Sequence, residues 1–225
     1  MRAAVAFAAL VFLLAAALVY APSILDAAAG PDAALQSILQ GAESTGLSID
    51  IPGSPVPLRS RRLHFDRVST HLEEVGQTAL ARSTLDFEGQ LGSIEVSSLG
   101  VERTDFERQA NGWRPRDCLA PRLAAVVGAL QARRRALEQA DAEALGHLGA
   151  SAEVRRSARE GDLLRRIASG QAYRPSAWYI RLERDTALVT EWYEIAADAR
   201  APEIGKKRLT LTWQGSQFLF SGSLL

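Results

Sequence analysis

The residues best suited to chemistry are few and scattered. Ala136 to Leu148, "ALEQADAEALGHL", brings together Glu138, Asp141, Glu143 and His147. Three carboxylates and an imidazole at near-helical spacing could move protons or hold a metal. A simpler reading has two helices meeting near Asp141, with Ala136, Leu137, Ala140, Ala144, Leu145 and Leu148 on their apolar side. Asp141 then caps the second helix, and Glu143 sits in its first turn, where the helix dipole favours a carboxylate. Glu143 and His147 stand at i and i+4 and offer two ligands, too few for a metal site.

The other histidines, His64 and His71, lie seven residues apart in one predicted strand, about 23 Å if extended. An odd separation points them to opposite faces of a regular strand, so no shared metal is expected. Cys118 is the only cysteine, which excludes an internal disulfide and a cysteine-rich zinc site. Arg114, Arg116 and Arg122 could lower its pKa, but no histidine base is identifiable for it. There is no Gly-rich phosphate loop, no His-Glu-x-x-His, no Gly-x-Ser-x-Gly and no calcium loop, and no cofactor is expected. What remains is a strand-borne polar set, Tyr179, Arg181, Glu191 and Tyr193, which alternation can bring into a common interior. Its competing role is structural: Arg181 or Arg184 paired across strands with Glu191 or Glu194.

The elements that must position these residues follow from periodicity. Pro31 and Asp32 open a short helix, with Leu35, Ile38 and Leu39 at i, i+3 and i+4. Pro52, Pro55 and Pro57 then mark an extended linker that ends in Arg59, Arg61 and Arg62. Residues 63–118 read as a β-meander, with Asn111-Gly112 as a tight hairpin turn and Trp113 in the returning strand. Leu123, Val126, Val127, Leu130 and Leu137 mark a long helix whose second half holds Arg133, Arg134 and Arg135. A short helix runs from about Ala142, and a third spans 151–169 with a break at Gly161–Asp162. Residues 177–225 return to strands, with Leu209, Leu211 and Trp213 alternating against Arg208, Thr210 and Thr212.

A long helix, a short helix, a helical link and four antiparallel strands, with the Ala136, Asp141, Leu145 hinge, resembles the nuclear transport factor 2-like (SnoaL-like, cystatin-like α+β) superfamily over residues 119–225. The resemblance implies a curved sheet wrapped around the long helix as a cone. In enzymes of that superfamily, Asp, His and Tyr side chains inside the cone act as acid or base. Here Tyr179, Arg181, Glu191 and Tyr193 would compete for that place, and no Asp–His pair stands out. The order helix-then-strands in 31–116 repeats that of 119–225. Two related halves and one enlarged α+β domain both remain open.

The N-terminus sets the address. Residues 3–21, "AAVAFAALVFLLAAALVYA", carry no charge and approach the roughly 20 residues that a membrane-crossing helix needs. Arg2 precedes them, and no basic residue follows until Arg59, which places the N-terminus in the cytoplasm and the rest outside. A cleaved signal peptide is the alternative. The divisions read as 1–24 anchor or signal, 25–62 short helix and Pro-rich linker, 63–118 β-meander and 119–225 helix-plus-sheet domain. The fold class is α+β: a transmembrane helix, then a curved antiparallel sheet on a long helix. The formal net charge is zero, against a nucleic-acid binder. The function expected is a membrane-anchored extracytoplasmic binding or assembly module without enzymatic activity. Its partner would be an envelope protein or a small apolar ligand in the cone, with homodimerisation through the open sheet face. The alternative is an exported hydrolase or isomerase with a polar site inside the cone.

Overall fold

The computed structural model describes residues 31–73, 77–196, 201–215 and 217–222. The apolar segment 3–21 lies outside them. Among the described residues no helix is long and apolar enough to cross a membrane. Helix α1 (Pro31–Thr45) has an acid in its first turn and buries Leu35 and Leu39, the stripe its spacing sets. A short β1 (Ser48–Ile49) follows, then β2 (Leu58–Glu73), β3 (Thr78–Leu91), β4 (Ile94–Gln109) and β5 (Gly112–Pro115). Strand β2 begins directly after the three prolines and takes in the run Arg59 to Arg62. The hairpin turns at Ala110 and Asn111, one residue earlier than the expected Asn111-Gly112, and Gly112, paired with Gln109, supplies the positive φ (108°).

The second part comprises α2 (Pro121–Glu138), α3 (Ala142–His147), α4 (Ala152–Glu160) and α5 (Asp162–Ala168). It closes with β6 (Ala172–Leu182), β7 (Thr186–Ala196), β8 (Glu203–Gln214) and β9 (Gln217–Phe220). Gly161 ends α4 and starts α5. Asp141 caps α3, accepting from the Glu143 and Ala144 N–H groups at 3.0 and 2.9 Å.

All nine strands form one strongly curled sheet, in the order β1-β2-β3-β4-β6-β7-β8-β9, with β5 paired to the end of β4. The sheet is not wholly antiparallel. β4 and β6 run parallel from Glu95 to Gly100 against Ala177 to Leu182, because the chain returns through the helices before β6 begins. Gly100, at φ 141°, sits on this seam, and a Cβ there would fall on the Leu182 carbonyl. β2-β3-β4 and β6-β7-β8 follow the same order along the sheet. One face is buried by Phe87, Val96, Phe106, Trp178, Leu209 and Leu211 against Leu123, Val126, Val127 and Leu130 of α2. Alternation turns the other side chains to the opposite face.

Candidate functional site

Two polar clusters lie inside the fold, and α2 contributes to both. Arg133 is fully buried on the sheet side of the helix. Its Nη1 donates to Glu191 Oε2 at 2.7 Å and to the Tyr173 hydroxyl at 2.9 Å. Glu191 Oε1 accepts from Trp178 Nε1 at 3.0 Å. Trp178, Glu191 and Lys207 stand directly across from one another on β6, β7 and β8. Burial alone would lower the Arg133 guanidinium, but the Glu191 carboxylate holds it above its ordinary value. Burial, with Arg133 close by, pushes Lys207 down to about 8. Burial also drives the Tyr173 phenol far above its ordinary range.

The second cluster joins β4 to the start of α2. Ala120, the residue before the helix, provides no side-chain cap. Glu102 on β4 does so instead. Its Oε1 accepts from the N–H groups of Arg103 (3.0 Å) and Arg122 (2.9 Å), and its Oε2 from Leu123 (3.0 Å). Two orphan donors of the helix start and one strand N–H are thus satisfied by one carboxyl, and burial still pushes that carboxyl up to about 7. The Arg122 guanidinium donates to the carbonyls of Val101 and Glu183, one on each side of the seam, and stacks over Phe218 at 5.5 Å. Burial raises the nearby Cys118 thiol to about 11, an unreactive value despite three arginines near it in sequence.

Neither buried carboxyl is open to a substrate. Neither lines the groove of the opposite sheet face, the groove along α2, or the clefts beside Tyr173, Trp213 and His71.

The four residues singled out from sequence do not form one site. Glu191 and Tyr193 point to the helix side, where Tyr193 packs on Tyr173 with ring centroids 5.4 Å apart. Tyr179 and Arg181 point to the opposite face. Arg181 approaches Glu183 in its own chain segment (3.4 Å), and the cation of Glu191 is Arg133, so the cross-strand pairing expected for Arg181 or Arg184 is not formed. The histidines also differ from expectation. A bulge between Asp66 and Ser69, with Arg67 at φ 51°, inserts one residue, so His64 and His71 share a face. They pair opposite Asp86 and Leu80, about 20 Å apart along β3. His64 Nδ1 meets Glu43 at 3.0 Å. Among the described residues no cluster of His, Cys, Asp and Glu could hold a metal ion.

The face that carries Tyr179 and Arg181 bears an open groove of about 620 Å³ lined only by strand residues of β3, β4, β6, β7 and β8. Leu99, Tyr179 and Leu188 stand there 57%, 48% and 39% exposed. Two registered rows cross it. One reads Asp86, Leu99, Arg181, Leu188, Thr210; the next reads Glu88, Ser97, Tyr179, Thr190, Arg208. Acids therefore stand on the β3 side and Arg208 on the β8 side, and between them lie Leu99, Leu188 and Tyr179 together with Arg181, Ser97 and Thr190. No family model, curated protein or solved structure matches this chain.

Proposed function

We propose that this protein is a membrane-anchored, extracytoplasmic binding or assembly module without catalytic activity, and that it pairs with a second copy through the face of its sheet opposite α2. The observation that carries the reading is that face: exposed Leu99, Tyr179 and Leu188 flanked by opposite charges. A two-fold axis parallel to the strands, lying between the two stacked faces above β6, lays each row on itself in reverse. Glu88 then meets Arg208 of the second copy, Leu99 meets Leu188 of the second copy, and Tyr179 meets its own counterpart. Arg181 also meets its counterpart, a repulsion that Glu183 reduces from within each chain. Arg62 already contacts Asp86 and Glu88, but two carboxylates share that one guanidinium, leaving acid for Arg208.

Anchoring through residues 3–21 supports the extracytoplasmic address. The long helix followed by a four-strand meander supports the nuclear transport factor 2-like resemblance of residues 119–225. The matching strand order of the two meanders supports two related halves. The hydrolase or isomerase alternative loses support, because both interior carboxyls are occupied by the fold.

The test places a benzophenone amino acid at Leu188 of the full chain in its native membrane. An adduct of twice the chain mass, abolished by Leu99→Glu, supports the reading. An adduct of another mass assigns the face to a different envelope protein. No adduct at Leu188 removes docking through this face.

A further inference from the structure

Helix α2 buries two arginines and a glutamine among its apolar residues, and over its first three turns it faces outward with small side chains. Arg122, Gln131 and Arg133 are buried, while Ala124, Ala125, Gly128, Ala129 and Ala132 are only partly covered. Those five floor a groove of about 780 Å³ that lies between the two ends of the curled sheet. Ile49 of β1 and the following Pro52 form one wall; Trp213 and Leu219 form the other. From Pro121 to Ala132 the floor runs for about 18 Å.

Two features indicate what covers it. First, a Cβ at Gly128 would meet only Pro52 Cδ, at 3.8 Å. Glycine is unfavourable inside a helix, and the described chain does not use the room that its missing side chain leaves. The room suits a second backbone at close approach. Second, the ionisable groups lining the groove as charges are acids, Asp50 and Asp117, with no Lys or Arg among the lining residues.

The chain holds a segment with the matching chemistry. Residues 3–21 are apolar, uncharged and rich in alanine, and their nearest charges are Arg2 and the α-amino group. Length permits the contact. Residues 22–30 reach about 30 Å when extended. Helix α1 is about 22 Å long, and its last residue, Thr45, stands just before Ser48 on the groove wall. We propose that the α2 groove shelters the chain's own apolar segment 3–21 whenever that segment is outside a bilayer, with Arg2 set against Asp50 and Asp117. This site is separate from the pairing face and stands or falls independently of it.

The test uses full-length chain made by cell-free synthesis without membranes, in a Cys118→Ser background. Ala129→Cys in the groove floor is combined with Ala9→Cys or Ala16→Cys, and an intramolecular disulfide is read as a mobility shift after mild oxidation. The expected result is a disulfide with Ala129→Cys that falls at least fivefold when phosphatidylcholine–phosphatidylglycerol vesicles are present during synthesis. Gly128→Leu, which fills the groove, and Arg2→Glu, which lies outside the described residues, should each lower the yield severalfold. Equal yield with Thr190→Cys, on the opposite face, overturns the proposal. So does a yield unaffected by both Gly128→Leu and Arg2→Glu, or a disulfide that forms only between chains.

Discussion

Glu191→Gln should be the most damaging single change to the interior that keeps side-chain volume. The carboxylate serves Arg133 and Trp178 at 2.7 and 3.0 Å and has Lys207 as its cross-strand neighbour. A carboxamide can offer its oxygen to Arg133 or to Trp178, and its NH₂ then faces a donor at the other. Removing one partner of a buried ion pair costs about 3–5 kcal/mol, and an unsatisfied buried donor adds about 1–3. Arg133→Met should cost less, because Glu191 keeps Trp178 as a donor and Lys207 as a nearby cation. The double variant Arg133→Met/Glu191→Leu removes both charges and should lie at least 2 kcal/mol closer to the native chain than the sum of its single changes, roughly, since apolar replacement of a whole pair is often neutral. Urea unfolding of the full chain in non-ionic detergent, with Glu191→Leu measured alone as well, supplies the four differences by linear extrapolation. Labelling of Lys207 against pH adds an independent readout: its pKa should rise in Arg133→Met and fall further below 8 in Glu191→Gln. Additive single costs within about 0.5 kcal/mol, or Arg133→Met costing more than Glu191→Gln, would refute the claim that this carboxylate organises the cluster.

Three further predictions concern the frame around it. Glu102 has a folded value of about 7 against an ordinary 4.5, so its contribution to stability is whole below about pH 4.5 and is lost as pH rises through 7. The native chain should lose on the order of 3 kcal/mol relative to Glu102→Gln between pH 4 and 8, and a difference flat in pH would show that this carboxyl does not titrate there. Asp141→Asn should change stability by a few tenths and Asp141→Ala by about 1 kcal/mol, measured by urea unfolding; equal effects would remove the capping role. Gly100→Ala should cost on the order of 3 kcal/mol or more, because the seam must open to admit a methyl group beside Leu182, and an unchanged Tm would contradict the close approach.

Much of the element order was legible because it rests on local rules. The Asp141 cap needs only its own turn, the break at Gly161 needs only a glycine, and the β4–β5 hairpin needs only a positive φ at Gly112, although its turn falls one residue earlier than expected. Parity inside a strand was legible too: Trp178, Ile180 and Leu182 on one side, Tyr179 and Arg181 on the other. Which parity of β7 joins which parity of β6 is a matter of register, and there polarity misleads. A glutamate is rarely buried unless paired. Glu191 is inside because Arg133 meets it from a helix 58 residues away. Within Arg133, Arg134 and Arg135 nothing local separates the first, which is buried, from the second, which pairs with Glu138 at 2.7 Å on the surface. Glu102 was missed for the same reason, since its partners are N–H groups of a helix that begins 19 residues later. The bulge at Arg67 reversed the histidine inference because parity counting assumes an uninterrupted strand.

The polar interior has a mechanical logic that the surfaces share. The parallel β4–β6 seam is the place where the two meanders meet, and it spans only Glu95–Gly100 against Ala177–Leu182. Helix α2 lies across it and is tied to both sides: to β4 through Glu102, to Val101 and Glu183 through Arg122, and to β6 and β7 through Arg133. The Arg122 and Arg133 ties each use a long polar side chain on the inward side of the helix, and the Glu102 tie uses the backbone N–H groups of its first turn. Beside Arg122, Gln131 and Arg133 the inward side is apolar, with Leu123, Val126, Val127, Leu130 and Leu137, while the outward side from Ala124 to Ala132 is alanine and glycine, and Arg134, Arg135 and Glu138 follow in the last turns. The same helix carries a small-residue groove on its back from Ala124 to Ala132, while the sheet face opposite it keeps its exposed leucines and tyrosine. The two surfaces assigned here to partners, one to a second copy and one to the chain's own apolar segment, are both carried by elements that meet at the seam.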